Sequence, residues 1–168
     1  LIITIPGVPV SQGRMRYRKI KNFVMTYDPN AADKKAIRAI LKSQHNGESF
    51  EYPKISFAFL MPILKSTRKK DLIEYQSGRV RHDKKPDIDN CIKLILDCLD
   101  GIFFHGDQKV SLGACMKLYH PEPKTIIFIN ETSRLLTYLD LDLSFPAVPE
   151  FSKYLSSEKD YPYDLNAP

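Results

Sequence analysis

The chain has 168 residues, of which 43% are hydrophobic and 27% charged, the balance of one globular domain with a real core. No apolar run approaches the ~20 residues a bilayer crossing needs, and Leu1 to Val10 lacks the charged flank and cleavage site of a signal peptide. Three Cys (Cys91, Cys98, Cys115) without C-x-x-C spacing argue against a disulfide framework or a zinc site, and point to a reducing cytoplasm.

Net charge is +5, unevenly spread. Residues 1–131 carry 22 Lys/Arg against 14 Asp/Glu, and residues 132–168 carry 3 against 6. A basic body with an acidic tail suits a polyanionic partner, nucleic acid above all, although charge alone fits a basic protein without one.

Leu1-Ile-Ile-Thr-Ile5 is β-branched and ends at Pro6-Gly7, so it reads as a first strand. Ser11 to Lys21 follows with five Lys/Arg, no acid and a turn glycine; Phe23 to Tyr27 reads as a short strand. Asp28-Pro29-Asn30 then leads into a helix over Ala31 to Lys42. His45 to Tyr52 is a loop, and Lys54 to Leu60 a strand with Ile55, Phe57 and Phe59 on one face. Lys65 to Lys85 is polar and basic, a mobile loop with one helical turn over Asp71 to Gln76. Ile88 to Leu99 is the clearest helix. Val110 to Tyr119 and Thr125 to Asn130 read as strands of a hairpin joined at Pro121-Glu-Pro123. Leu139 to Leu143 allows one more strand, and residues 144–168, broken by prolines, read as an extended arm. The expected fold class is α+β: one domain over 1–131, a small mixed β-sheet packed against two main helices, and an acidic, Pro-containing C-terminal extension over 132–168.

The helix after Pro86 carries the chemistry. Wound at ~100° per residue from Asp89, Asn90 falls at ~100°, Lys93 at ~40°, Asp97 at ~80° and Asp100 at ~20°. All five polar side chains share one stripe, and the remaining positions are apolar. Three plain accounts compete: Asp87 as an N-cap, Lys93 as an i,i+4 ion-pair partner of Asp89 and Asp97, or the stripe as a solvated face. The functional account covers the set. Asp87 and Asp89 can converge on a hard cation such as Mg²⁺, which takes few carboxylates and leaves positions for water and phosphate. Asp107, in the turn after the helix, is the candidate third ligand, and Lys93 can neutralise charge at the phosphate.

Lys85-Pro86-Asp87-Ile88-Asp89-Asn90, then Lys93, Asp97, Leu99, Gly101-Ile102, Asp107 and Val110, resembles the signature of the RusA family of Holliday-junction resolvases. Ile5-Pro6-Gly7 and Gly13-Arg14-Met15-Arg16 are similar to the basic N-terminal segment of its phage members, so the resemblance runs to about residue 131. It implies a Mg²⁺-dependent homodimer (Mn²⁺ a possible substitute) that nicks four-way DNA junctions symmetrically. It places the catalytic carboxylates and metal ligands on Asp87, Asp89 and Asp107, the essential lysine on Lys93, and supporting roles on Asn90 and Asp97. Gly106 departs from the paired acids of many relatives.

Between Lys65 and Lys85, eight Lys/Arg face three acids, a net of +5 beside the acidic stripe. Lys69, Lys70, Arg81, Lys84 and Lys85 are candidate phosphate contacts, as are Arg14, Arg16 and Arg18 in the earlier basic segment. Two other readings stay open: a branched-DNA-binding module without catalysis, and a nuclease for flaps or forks.

Overall fold

The computed structural model describes residues 1–21, 23–77 and 80–132. The expected strand over Leu139 to Leu143, the arm over 144–168 and all of the acidic extension after Thr132 lie outside them. In chain order the elements are β1 (Ile2–Pro6), β2 (Arg16–Ile20), β3 (Phe23–Tyr27), α1 (Ala31–Ser43), β4 (Pro53–Pro62), α2 (Lys69–Gln76), α3 (Ile88–Leu99), β5 (Ser111–His120) and β6 (Lys124–Glu131). A single 3-10 turn at Asp107–Lys109 precedes β5. The fold is α+β, as expected.

Four strands form a mixed sheet in the order β1-β6-β4-β5. β4 pairs parallel with β5 and antiparallel with β6. The expected β5–β6 hairpin therefore does not form, because β4 lies between the two strands. Spanning β4 takes about 9.5 Å, two strand spacings, which the three residues Pro121 to Pro123 can reach in extended form. β4 earns its central place by composition: Ile55 through Met61 are all buried, on both faces.

One face of the sheet packs against α1 and α3. Ile3, Phe57 and Phe59 meet Ile37 and Leu41 of α1 and Cys91, Leu94, Ile95, Cys98 and Leu99 of α3. The opposite face buries Ala58, Leu60, Leu118, Ile126 and Phe128. Among the described residues no helix is long and apolar enough to cross a membrane.

The segment expected to be a mobile loop is more ordered than its composition suggests. α2 makes two turns, and Tyr75 packs its ring 4.7 Å from that of Tyr119. Val80 to His82 then lies along the free edge of β5, with Tyr119 N–H donating to Val80 and His82 N–H to Lys117. An edge strand presents unpaired backbone groups, and this segment satisfies them. β2 and β3 form a separate two-stranded sheet in which every residue is exposed.

Candidate active site

The crossover from β4 through α3 to β5 sets the geometry. α3 runs back along the sheet, so its first turn lies beside the carboxyl end of β5, where open sheets with parallel strands commonly bind ligands. A groove of about 680 Å³ opens there. Arg81 to Lys85 line one side, Asp87, Ile88 and Asp89 a second, and Cys115 to Leu118 of β5 the floor.

Lys117 organises this groove. Its Nζ donates to the carbonyl oxygens of Lys84, at 2.6 Å, and of Pro86. The loop that delivers Asp87 is thereby tied to the sheet. Beside it, the Tyr119 hydroxyl donates to Asp83 Oδ1 at 3.1 Å and holds that carboxyl below its ordinary range, with Lys84 adding to the effect. His82 is 8% exposed, its ring lies 4.5 Å from that of Tyr119, and its Nδ1 has no hydrogen-bond partner among the described residues. Burial, then the charge of Lys117, pushes the His82 pKa down. The groove thus offers carboxylates, cations and a neutral imidazole.

Asp87 does occupy the N-cap position of α3, but its side chain makes no capping hydrogen bond. The ion pairs among the described residues do not include Lys93 with Asp89 or Asp97. Asp97 turns instead to α1, where Lys34 Nζ lies 2.9 Å from its Oδ2 and 3.0 Å from Asp28 Oδ2. Burial works against the Lys34 ammonium, but hydrogen bonds to Asp97 and Asp28 outweigh it and raise its pKa. Arg38 adds hydrogen bonds to the carbonyls of Asp97, Cys98 and Asp100, closing the C-terminal end of α3. Asn90 accepts the Gln12 N–H at its backbone carbonyl, 2.9 Å away.

Asp87 and Asp89 therefore share the groove with Arg81, Lys84 and Lys85. Lys93 is exposed one turn further along the stripe and does not line the groove. Asp107 is not brought to it either. Gly106 N–H donates to Asp100 Oδ1 at 2.9 Å, which fixes the Asp107 turn at the far end of α3. Among the described residues no three His, Cys, Asp or Glu gather closely enough to hold a metal ion. Gly106 has φ +84°, a backbone that favours glycine, and a Cβ there would meet the Gln108 side chain at 2.5 Å. Lys69 and Lys70 are exposed at the start of α2, and Arg14, Arg16 and Arg18 on the hairpin and its stem.

Three groove residues escaped the sequence reading: His82, Asp83 and Lys117. The available signal was a lone cation, Lys117, in the largely apolar run Leu112 to Tyr119.

The family model for endodeoxyribonuclease RusA matches residues 6–130, most of the chain. An uncharacterized protein of Bacillus subtilis (strain 168), YqaN, is 31% identical over 135 residues, covering 77% of this chain and 95% of that protein. The chain belongs to the RusA endodeoxyribonuclease family.

Proposed function

We infer that this RusA-family endodeoxyribonuclease resolves four-way DNA junctions by paired nicks, with Mg²⁺ held at Asp87 and Asp89. The observation that carries the reading is the groove itself. Two carboxylates, with no capping bond and no ion pair among the described residues, stand at the start of a half-buried helix opposite Arg81, Lys84 and Lys85. Mg²⁺ is commonly held by one or two carboxylates together with waters and substrate phosphate, so this pair suits it, and Mn²⁺ is a reasonable substitute. A bound cation supplies Lewis-acid activation of the scissile phosphate. The chain's own groups do the rest. Arg81, Lys84 and Lys85 draw the backbone into the groove and neutralise its phosphates. Lys117 holds the carbonyls of Lys84 and Pro86 and so fixes the loop that presents these groups.

The third family carboxylate calls for a second copy. α3 has 12 residues and spans about 18 Å, with Asp89 in its first turn and the Asp107 turn tied to its last. Asp107 of a partner subunit, brought across a two-fold axis, would complete each site and account for paired nicks.

Junction cleavage with and without Mg²⁺ tests the proposal. Asp89→Asn is expected to abolish nicking while junction binding in EDTA persists; full activity in that variant would remove the metal-site assignment. Among the described residues no three carboxylates cluster, which supports a second, binding-only reading, and tight junction binding without cleavage across Mg²⁺ and Mn²⁺ titrations would favour it. Preferential cleavage of flaps or forks would redirect the substrate.

A further inference from the structure

The β2–β3 hairpin does not line the groove, yet it carries the most exposed large apolar side chains among the described residues. Phe23 is 77% and Tyr17 73% exposed, and Val24, Met25 and Ile20 are exposed with them. Large apolar side chains grouped on a surface mark an interaction site. The register puts Arg16 opposite Tyr27, Arg18 opposite Met25 and Ile20 opposite Phe23 on one face, and Tyr17 opposite Thr26 and Lys19 opposite Val24 on the other. Both faces therefore carry a cation and an apolar group. The face with Phe23 also carries Ile20, Met25 and Tyr27, but Arg16 and Arg18 stand among them, and Lys19 stands between Tyr17 and Val24 on the other; apolar groups interleaved with cations suit a polyanion with stacking bases. Residues 7–27 contain five Lys/Arg and no acid, which complements a polyanion.

Position adds the remaining constraint. On one side the hairpin's stem is tied to α3 by the Gln12 N–H bond to Asn90, next to Asp89. On the other side Asp28 is tied through Lys34 to Asp97. Five residues extend about 16 Å, roughly twice the ~8.5 Å depth of the DNA major groove.

We propose that this hairpin is a wedge for the branch point of DNA: Phe23 and Tyr17 stack on bases freed at the branch, and Arg16 and Arg18 hold the flanking phosphates. The assignment rests on the nuclease reading and adds how that reading's substrate is told from plain duplex. A wedge has nucleic acid on both sides, which explains why both faces are mixed. Apolar wedges and aromatic stacking platforms are established ways of holding unstacked bases.

The test is fluorescence of 2-aminopurine at the branch point of a four-way junction, with binding measured in EDTA for wild type and Phe23→Ala. Wild type should raise the fluorescence. The variant should lose that rise and bind the junction about fivefold or more weakly, since a base–aromatic stack is worth at least that much, with duplex affinity changed less than about twofold. No rise with wild type, or unchanged fluorescence and affinity in the variant, overturns the wedge. So does a variant that shifts to a smaller species in sedimentation, because the hairpin would then pack against a second copy. Phe23 is exposed, and equal melting temperatures check that the variant folds. Wild-type cleavage in Mg²⁺ is scored separately, so failure of the nuclease reading cannot be mistaken for failure of the wedge.

Discussion

The Lys117 ammonium reaches from β5 to the Pro86 carbonyl, the last acceptor before Asp87 and the start of α3. It also holds the Lys84 carbonyl. One side chain therefore couples the sheet to the loop that aims the proposed metal ligands. Lys117→Met keeps most of the stem and removes both bonds. Hydrogen bonds to a charged group contribute about 1.5–3 kcal/mol, so urea denaturation should show a loss at the lower end of that range. Junction cleavage should fall about a hundredfold, the cost of displacing a positioned group by about 1 Å. Unchanged cleavage in the variant would mean that the loop is positioned without Lys117.

Lys34 and Asp97 test the opposite kind of residue. Asp97 matches a motif position, yet its carboxylate faces α1 and an ammonium 2.9 Å away. It positions helices. A double-mutant cycle of Lys34→Met and Asp97→Asn should give a coupling of about 0.2–1 kcal/mol, the range of partly exposed pairs. Asp97→Asn should leave most nicking activity in place, in contrast to Asp89→Asn. Loss of nicking with no change in stability would return Asp97 to the active site.

These two residues show what the sequence could and could not disclose. The stripe on α3 was readable because helical periodicity is local: Ile88 to Leu99 is helical as expected, and its apolar positions face the core. What the stripe faces is not local. Asp89 meets the groove and Asp97 meets a helix 63 residues earlier, and one spacing describes both. The same limit explains the failed hairpin. Pro121-Glu-Pro123 resembles a tight connection, but nothing near it records that β4, some 60 residues upstream, inserts between the strands it joins. Lys117 was missed because its acceptors lie 31 and 33 residues away. Asp107 rested mainly on the resemblance, beside its place in the turn after the helix, and that turn is held at the opposite end of α3 from Asp89 by a contact that helical periodicity does not record.

His82 makes folding depend on pH. Burial, with the Lys117 charge second, sets its folded pKa below the ordinary 6.5. As pH falls below 6.5 the unfolded chain takes up a proton that the folded chain still refuses. Stability is therefore fully present above 6.5 and is lost as pH falls through the folded value. Urea midpoints measured from pH 7.5 to 5 should decline, and His82→Gln should flatten the decline. An equally steep decline in His82→Gln would assign the proton uptake to another group. Lys117→Met should raise the His82 pKa by removing the nearby charge, which an NMR titration of the imidazole would follow.

The place of Asp107 can be tested by complementation. If each site takes Asp87 and Asp89 from one chain and Asp107 from its partner, then Asp89→Asn and Asp107→Asn homodimers are both inactive. Mixing them restores one complete site in every mixed dimer: the intact Asp89 of one chain meets the intact Asp107 of the other. Random re-pairing makes half the dimers mixed, so total nicking should recover to about one quarter of wild type. Because a mixed dimer has one working site, its products should be single nicks in the junction rather than paired cuts. If Asp107 instead served the site of its own chain, every site in the mixture would lack one carboxylate and no activity would return. Full activity of Asp107→Asn alone would remove it from the site in either arrangement, leaving two carboxylates and the phosphate to hold the cation.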